Sequence, residues 1–248
     1  MTNATRAQSV LDIDMGNSRI KWRLQKQDGP LFGVSDYQSA NWLTFEKLDC
    51  NPTRVRISCV VRDLRREQIT QHCQLQWQVT PEFAAVQSTC GGVTQAYLNK
   101  ERLGVDRWLG LLAAYQQVGA CVLVSCGSAV TVDLLLADGQ HVGGYIVPGI
   151  AMMHRSLFNG TDAVKVEAAH QLTDLLPGRD TIEAVNKGVI VMIKGLVDYA
   201  QTLYIEKTGE PPQILITGGD GETVQRFLGR DSIYNPYLVL DGLAVALP

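Results

Sequence analysis

One strand–turn–strand pattern occurs twice in this sequence of 248 residues, and it restricts the folds that the chain can adopt. An apolar strand pattern that ends at Gly16-Asn17-Ser18 is followed by residues that alternate between apolar and polar. The same arrangement recurs around Gly127-Ser128-Ala129. Alternation with a period of two is typical of strands, and a short glycine-containing turn between two such runs predicts a hairpin. The two turns therefore occupy equivalent places in two related halves.

Each hairpin is followed by a third strand, by helices and by a further strand, so the sequence predicts a duplicated α/β fold. Each half is expected to open a mixed sheet with three antiparallel strands, flanked by helices, and a cleft is expected between the halves. We divide the chain into a flexible lead (1–9), an N-terminal half (10–117) and a C-terminal half (118–248). The other predicted elements are strands at 54–61, 75–80 and 213–216 and helices at 63–73, 106–117, about 180–207 and near the C-terminus.

Charge and hydropathy exclude two classes of partner. The chain has 22 basic and 25 acidic residues and a net charge of -3, which is too little positive charge for a nucleic-acid surface. The uncharged stretch 108–132 is long enough to cross a membrane. It contains Gln116, Gln117 and Gly119, however, and we interpret it as a helix, a turn and a buried strand. We expect neither nucleic acid nor a membrane as a partner.

The six cysteines show no C-x-x-C spacing, so the sequence does not predict a zinc or dithiol centre. The N-terminal residues lack the apolar core of a signal peptide. Free thiols fit a reducing compartment, and we expect a cytoplasmic protein.

The first glycine turn has the composition of a phosphate-binding loop. In Asp14-Met15-Gly16-Asn17-Ser18 the glycine lets backbone N–H groups approach phosphate oxygens, and the Asn and Ser side chains add donors. Lys21 can add a positive charge. An ordinary β-turn is the alternative, because Asn and Gly are common turn residues.

Two further glycine loops follow buried strands. In the second, Gly127 to Asp133, Asp133 lies on an otherwise apolar strand and needs a cation or hydrogen-bond donors if it is buried. A water-linked magnesium ion is one such partner, and an edge strand with Asp133 in solvent is the alternative. The third loop, Thr217-Gly218-Gly219-Asp220-Gly221, precedes a helix and suits either a nucleoside or a plain strand–helix connection. The three loops together favour a nucleotide site.

These loops resemble the phosphate-1, phosphate-2 and adenosine loops of the acetate and sugar kinase, heat-shock chaperone and actin superfamily. Within that superfamily, Leu103-Gly104-Val105-Asp106-Arg107-Trp108 resembles the signature of type III pantothenate kinases, as do Tyr97 and Gly143-Gly144-x-Ile146-x-Pro148-Gly149. The resemblance implies a duplicated ribonuclease H-like, actin-like ATPase fold. It also implies phosphorylation of pantothenate by ATP to 4'-phosphopantothenate, the first step toward coenzyme A.

The resemblance further implies residue roles, with Asp106 as the general base. It assigns ATP binding to Asp14, Met15, Gly16, Asn17, Ser18, Arg19, Ile20, Lys21, Ser128, Gly218 and Gly219. It assigns pantothenate binding to Tyr97, Gly104, Val105, Asp106, Arg107 and Thr181. Mg²⁺ is expected with ATP, held through water by Asp14 and Asp133. A monovalent cation (K⁺ or NH₄⁺) and a homodimer are also expected.

The chain departs from the family pattern at two places. Ser125 stands where the family often has an acidic ligand of the monovalent cation, so that site is uncertain. Asn99-Lys100-Glu101 replaces a region that often contains a proline after the tyrosine. Taken without the resemblance, Asp106-Arg107 also fits an ordinary helix start.

Two rival functions remain. One is a non-catalytic nucleotide-binding regulator on the same fold, which would keep the phosphate loops and could lose the base. The other is a kinase for a different small alcohol, against which the set of Tyr97, Asp106-Arg107 and Thr181 argues.

Overall fold

The computed structural model describes residues 9–37, 42–43, 45, 48, 50–61, 63–158, 172–229 and 231–248. The predicted lead therefore lies, apart from its last residue, outside the described residues. The chain divides into two compact units: Met1–Gly91 with Asn99–Ala113 and Val239–Pro248, and Gly92–Leu98 with Ala114–Leu238. The sequence predicts a single boundary between residues 117 and 118, and the structure groups the C-terminal Val239–Pro248 with the first unit.

The first unit is built on a sheet of five strands, in the order β3-β2-β1-β4-β5. The first three pair antiparallel, and β4 and β5 join in parallel. The strands are β1 Val10–Met15, β2 Arg19–Gln25, β3 Leu31–Asp36, β4 Arg54–Cys59 and β5 Glu82–Phe83. Helix α1 (Asp63–Trp77) follows β4.

The two faces of this sheet differ in chemistry because side chains alternate along each strand. Leu11, Ile13 and Met15 of β1 are fully buried in one apolar core with Ile69 and Cys73 of α1. Asp12 and Asp14 point to the opposite face. The polar face is the one that positions the site.

The short strands β6 (Thr89–Cys90) and β7 (Val93–Thr94) and a 3₁₀ turn (Lys100–Arg102) lead to helix α2 (Val105–Val118). Helix α6 (Leu238–Ala246) ends the chain. Gly242 of α6 packs so closely on α2 that an added Cβ would lie 2.1 Å from the Leu109 carbonyl oxygen.

The second unit contains a sheet with the equivalent order, β10-β9-β8-β11-β12. Again three antiparallel strands are followed by two parallel ones. The strands are β8 Cys121–Cys126, β9 Ala129–Leu135, β10 His141–Pro148, β11 Gln213–Thr217 and β12 Ile233–Tyr234. The predicted duplication, with each half opening on three antiparallel strands, is confirmed.

Three helices belong to this second sheet: α3 (Ile150–Phe158), α4 (Thr181–Thr208) and α5 (Gly221–Leu228). One face of α4 buries Val189, Ile193 and Val197 against the apolar face of the sheet. The Asp180 side chain caps α4 by accepting from the Glu183 N–H at 2.8 Å, and Gly209 ends it with φ of 79°. Sheet and helix therefore share one continuous core.

The predicted strand at 75–80 is wrong. Helix α1 continues to Trp77, and Gln78, with φ of 58°, ends it. The alternation of Leu75, Trp77 and Val79 suggested a strand, but Leu75 is 79% exposed and Trp77 packs on the core from the last helical turn. An alternating run of only three apolar residues fits a helix end equally well.

The uncharged stretch 108–132 is a helix, a turn and a strand, as predicted. Within the described part of the chain, α4 is the one helix that is long and apolar enough to cross a membrane. Core helices of globular proteins pass the same test, and one face of α4 is packed on the second sheet.

Candidate active site

A row of three polar residues crosses the first sheet just before the Gly16 turn. Lys21 on β2 pairs with Asp14 on β1, and Asp14 pairs with Ser58 on β4. Residues in register on neighbouring strands point to the same face, about 5 Å apart. The row therefore brings an ammonium, a carboxylate and a hydroxyl together at the start of the loop.

Asp14 is electrostatically unsatisfied in this row. Its pKa is raised to about 6, mainly by burial and secondly by the nearby negative charge of Asp106, against smaller lowering effects of Ser58 and Lys21. The buried atoms Asp14 Oδ1 and Ser58 Oγ make no hydrogen bond of good geometry. Burial lowers the pKa of Lys21, and the Asp14 charge partly offsets that effect. The charged form of Asp14 is therefore destabilised in this environment.

Asp12, two residues earlier on the same face, has the opposite environment. Its Oδ1 accepts from Arg56 Nε at 2.7 Å, and its Oδ2 accepts from Arg23 at 3.0 Å and from Gln25 at 2.7 Å. Arg23 also pairs with Asp241 of α6. The Asp12 carboxylate is therefore fully paired and serves the fold.

Asp106 lies in the first turn of α2, and its Oδ1 accepts from the Arg107 N–H at 2.9 Å. An added Cβ at Gly104 would lie 2.6 Å from that oxygen, so a side chain there would displace the Asp106 carboxylate. Asp106 is half-buried and Arg107 is buried. The structure thus brings Asp14 and Asp106, which are distant in sequence, close enough to repel each other electrostatically.

The other residues of the first loop divide into two groups. Asn17, Ser18 and Arg19 are exposed at the turn, where donors could meet a ligand. Met15 and Ile20 are buried in the apolar core, so their side chains support the loop from below.

In the second unit, three glycine-containing segments converge at the end of β8. An added Cβ at Gly218 would lie 2.1 Å from the Cys126 carbonyl oxygen, and Gly218 has φ of 95°. One at Gly149 would lie 2.2 Å from the Gly127 carbonyl oxygen and 2.7 Å from that of Ser128. Gly219 has no atom within 4 Å of its added Cβ. The structure therefore brings the second and third predicted loops together.

A row of hydroxyls lies immediately before these loops. Thr131 on β9, Ser125 on β8 and Thr217 on β11 are in register, so they share one face of the second sheet. Thr131 Oγ1 is buried and makes no hydrogen bond. This row occupies the place in the second sheet that Lys21, Asp14 and Ser58 occupy in the first.

Asp133 does not face solvent, so the edge-strand alternative is wrong. It has no exposed surface, and its Oδ1 lies 2.9 Å from His141 Nε2. The Asp133 Oδ1 atom is thus already paired with a side chain of the protein, unlike Asp14 Oδ1.

Tyr97 and Thr181 also belong to the second unit. The Tyr97 ring stacks on His141, with 6.3 Å between ring centroids. Thr181 is the first residue of α4 and lines a cavity of about 730 Å³ together with Leu157, Arg179 and Met192. Val105, by contrast, begins α2 in the first unit beside Asp106.

Sequence reasoning missed Ser58 and His141. The alternation in β4 places Ser58 on the opposite face of the strand from Val55 and Ile57, but nothing in the sequence indicates that Ser58 lies beside Asp14. The importance of His141 depends on strand register, which a single sequence does not reveal.

The strand order, repeated in two sheets, and the glycine loops at the strand ends define a protein of the actin-like kinase fold. A Campylobacter jejuni protein described as a conserved putative Baf family transcriptional activator shares the fold with a TM-score of 0.62 at 21% identity, over 94% of this chain and 95% of that one. The ethanolamine utilization protein EutJ from Carboxydothermus hydrogenoformans has a TM-score of 0.50 at 10% identity and covers 100% of this chain and 92% of its own.

The family is more specific than the fold. The family model for type III pantothenate kinase matches residues 10–202. Proteins named type III pantothenate kinase are 37% identical in Pseudomonas aeruginosa PAO1 (96% of this chain, 99% of the relative) and 35% in Cellvibrio japonicus (95% and 96%). The chain belongs to the type III pantothenate kinase family.

Proposed function

We propose that this protein transfers the γ-phosphoryl group of ATP to the primary hydroxyl of pantothenate, the first step of coenzyme A synthesis. The observation that carries the proposal is the pair formed by Asp14 and Asp106. The Oδ1 atom of Asp14 is buried without a hydrogen-bond partner, and the charge of Asp106 is close enough to raise the pKa of Asp14. A fold that keeps two mutually repelling carboxylates loses stability, and such pairs are typical of catalytic sites.

In this mechanism Asp106 is the general base. Its carboxylate accepts the proton of the pantothenate hydroxyl while the hydroxyl oxygen forms a bond to the γ-phosphorus of ATP. The bond between that phosphorus and the β,γ-bridging oxygen breaks, and ADP is released. Gly104 supports this role, because any side chain there would displace the Asp106 carboxylate.

Asp14 is the residue that fits Mg²⁺. Its buried, unpaired Oδ1 and raised pKa both favour a cation beside it. Bound Mg²⁺ would neutralise charge on the ATP phosphates. Lys21 would act on the same phosphates from the neighbouring strand, and the exposed loop of Asn17, Ser18 and Arg19 would donate hydrogen bonds to them.

Ser128, Gly218 and Gly219 would hold the rest of the nucleotide. Their convergence at the end of β8 supports this assignment, since strand ends with glycine turns allow close backbone approach. Gly219, which has open space beside it, suits contact with adenine better than Gly218, which is packed against Cys126.

Tyr97, Arg107 and Thr181 are the proposed pantothenate residues. The planar guanidinium of Arg107 suits the pantothenate carboxylate, and the phenol of Tyr97 provides an apolar face with a polar end. A monovalent cation, K⁺ or NH₄⁺, would be held by neutral oxygens of the Ser125 row, where the unpaired Thr131 Oγ1 fits an additional partner.

A homodimer and a cytoplasmic location complete the proposal. The apolar side chains of Val191, Met192 and Tyr199 are about half exposed on α4, which suits burial against a second copy. The six cysteines are free, in keeping with a reducing compartment. Light scattering after size exclusion would test the dimer, with a mass near 27.2 kDa contradicting it.

The test of the function is ATP turnover measured with and without pantothenate, with the product identified by mass spectrometry. We expect turnover that depends on pantothenate and a product heavier by one phosphoryl group. ATP binding without turnover would favour the nucleotide-binding regulator. Turnover with other small primary alcohols but not with pantothenate would favour a different kinase.

A further inference from the structure

Asp133 and His141 form a buried pair that has no role in the mechanism proposed above. Their side chains have no exposed surface, and His141 Nε2 donates to Asp133 Oδ1 at 2.9 Å. A buried carboxylate without a partner is costly. The bond therefore fixes both side chains with respect to the sheet.

A β-bulge in β10 brings His141 to the face of Asp133. The register with β9 shifts between His141 and Gly143, so His141 and Gly144 share a face although they are three residues apart. An added Cβ at Gly144 would lie 2.5 Å from Asp133 Oδ1. The bulge orients the imidazole, and Gly144 makes room for the carboxylate.

The other side of the imidazole holds the segment that carries Tyr97. The Ala96 N–H donates to His141 Nδ1 at 3.4 Å, so Nδ1 is the acceptor and Nε2 carries the proton. The Tyr97 ring lies nearly parallel to the imidazole, at an interplanar angle of 13°. Gln95 also binds the Tyr97 main chain, donating to its carbonyl oxygen at 3.0 Å.

We infer that Asp133 and His141 are positioning residues that hold Tyr97 for pantothenate. The inference rests on the proposed function, in which Tyr97 contacts that substrate. Asp133 fixes the imidazole, the imidazole fixes the Ala96 main chain, and its face sets the plane of the Tyr97 ring. In this proposal neither residue contacts the reacting atoms or ATP.

If the two residues position Tyr97, replacing them should affect the binding of pantothenate and the binding of ATP differently. Loosening the support of Tyr97 should weaken pantothenate binding and leave ATP binding unchanged, whereas a purely structural role would disturb both or neither. The informative variant is Asp133→Val combined with His141→Phe. It removes both hydrogen bonds, leaves no unpaired carboxylate in the interior, and keeps an aromatic ring beside Tyr97.

Two matched variants serve as controls. Asp133→Asn keeps an oxygen that can accept from His141 Nε2, so it should behave like the wild type. His72→Phe makes the same histidine replacement in the first unit, where His72 packs on Trp77 with 5.1 Å between ring centroids. If the double variant does not fold, His141→Gln replaces it, since glutamine can still donate to Asp133 but offers Tyr97 no ring.

The measurement is KM for pantothenate and for ATP, with kcat, in all variants. We expect the double variant to raise KM for pantothenate by about tenfold or more, because small misplacements of positioning groups cost that much. KM for ATP and kcat should stay within about threefold of the wild type. An unchanged KM for pantothenate, or a parallel rise of both KM values, overturns the inference while the wild type remains an active pantothenate kinase. An inactive wild type would contradict the proposed function itself, and the inference with it.

Discussion

Asp12 and Asp14 lie on the same face of strand β1, two residues apart, and only Asp12 has hydrogen-bond partners on both carboxylate oxygens. Asp12 accepts hydrogen bonds from Arg23, Arg56 and Gln25, whereas Asp14 Oδ1 is buried with no hydrogen bond. The Asp12 carboxylate thus stabilises the fold, whereas the raised pKa of Asp14 shows that its charged form is held at a cost.

Asp14→Asn should stabilise the protein at neutral pH and reduce its activity. The pKa of Asp14 rises from an ordinary 3.8 to about 6, so the folded state binds a proton more tightly than the unfolded state. The group's favourable contribution is complete below pH 3.8 and is lost as the pH rises through about 6. Above that pH the variant should gain about 2–3 kcal/mol in the free energy of unfolding.

Urea unfolding at pH 4 and at pH 7.5, without nucleotide or Mg²⁺, would measure this effect. The gain should be present at pH 7.5 and nearly absent at pH 4. A variant that is destabilised at pH 7.5 would show that Asp14 is a structural residue.

Asp12→Ala should have the opposite effect on stability. It leaves the guanidinium groups of Arg23 and Arg56 buried without their partner, which typically costs about 3–5 kcal/mol. The loss should appear as a lower urea midpoint with an unchanged slope. Arg23 also donates to the Leu240 carbonyl oxygen at 2.8 Å, and Arg56 donates to that of Leu247 at 2.9 Å. A change below about 1 kcal/mol would mean that these carbonyls and Asp241 are sufficient partners for the two arginines.

Gly127→Val tests the second phosphate loop. The nearest atom to an added Cβ is the Ala129 carbonyl oxygen at 3.8 Å, so the fold has room for a first side-chain atom. Affinity for ATP should fall by about tenfold or more, because the side chain would stand where the backbone must approach phosphate. Gly195→Ala on α4, with no atom within 4 Å of the new Cβ, is the control, and both variants should keep the wild-type circular dichroism. Unchanged ATP affinity in folded Gly127→Val would remove this loop from the site.

Ser125→Asp tests the monovalent cation. In the wild type, the row of Thr131, Ser125 and Thr217 offers hydroxyl groups and no carboxylate. We therefore expect K⁺ or NH₄⁺ to activate the enzyme with low affinity. A carboxylate at Ser125 adds a negative charge, and the K⁺ concentration for half-maximal activity should fall by about tenfold. Equal activity of the wild type in Na⁺ and K⁺ buffers would argue against a specific site, and so would a variant that shows no change.

The repeated hairpin could be predicted from sequence because both of its signals are local. Gly16 and Gly127 mark turns, and the alternation on either side specifies strands whatever the rest of the chain does. The prediction of a strand at 75–80 was wrong because its signal was not local. Whether Trp77 belongs to a helix or a strand depends on packing against residues that are distant in sequence.

The site was predictable only in part. Asp14 and Asp106 could be named from motifs, but their mutual repulsion depends on how near the fold brings the start of α2 to the end of β1. The pairing of Asp133 with His141 depends on one bulge residue, and no periodicity in the sequence indicates a shift of register by a single position. The sequence therefore predicts which residues belong to the site, but it does not predict their burial or their partners.

The most direct test of the account is the single-turnover rate of phosphoryl transfer from ATP to pantothenate in Asp106→Asn. Asparagine is nearly isosteric with aspartate and can still accept from the Arg107 N–H, but it is a poor base. The account predicts a fall in rate of about 10²–10⁴-fold, with ATP affinity and circular dichroism unchanged. A well-folded variant that phosphorylates pantothenate within a few-fold of the wild-type rate would contradict it.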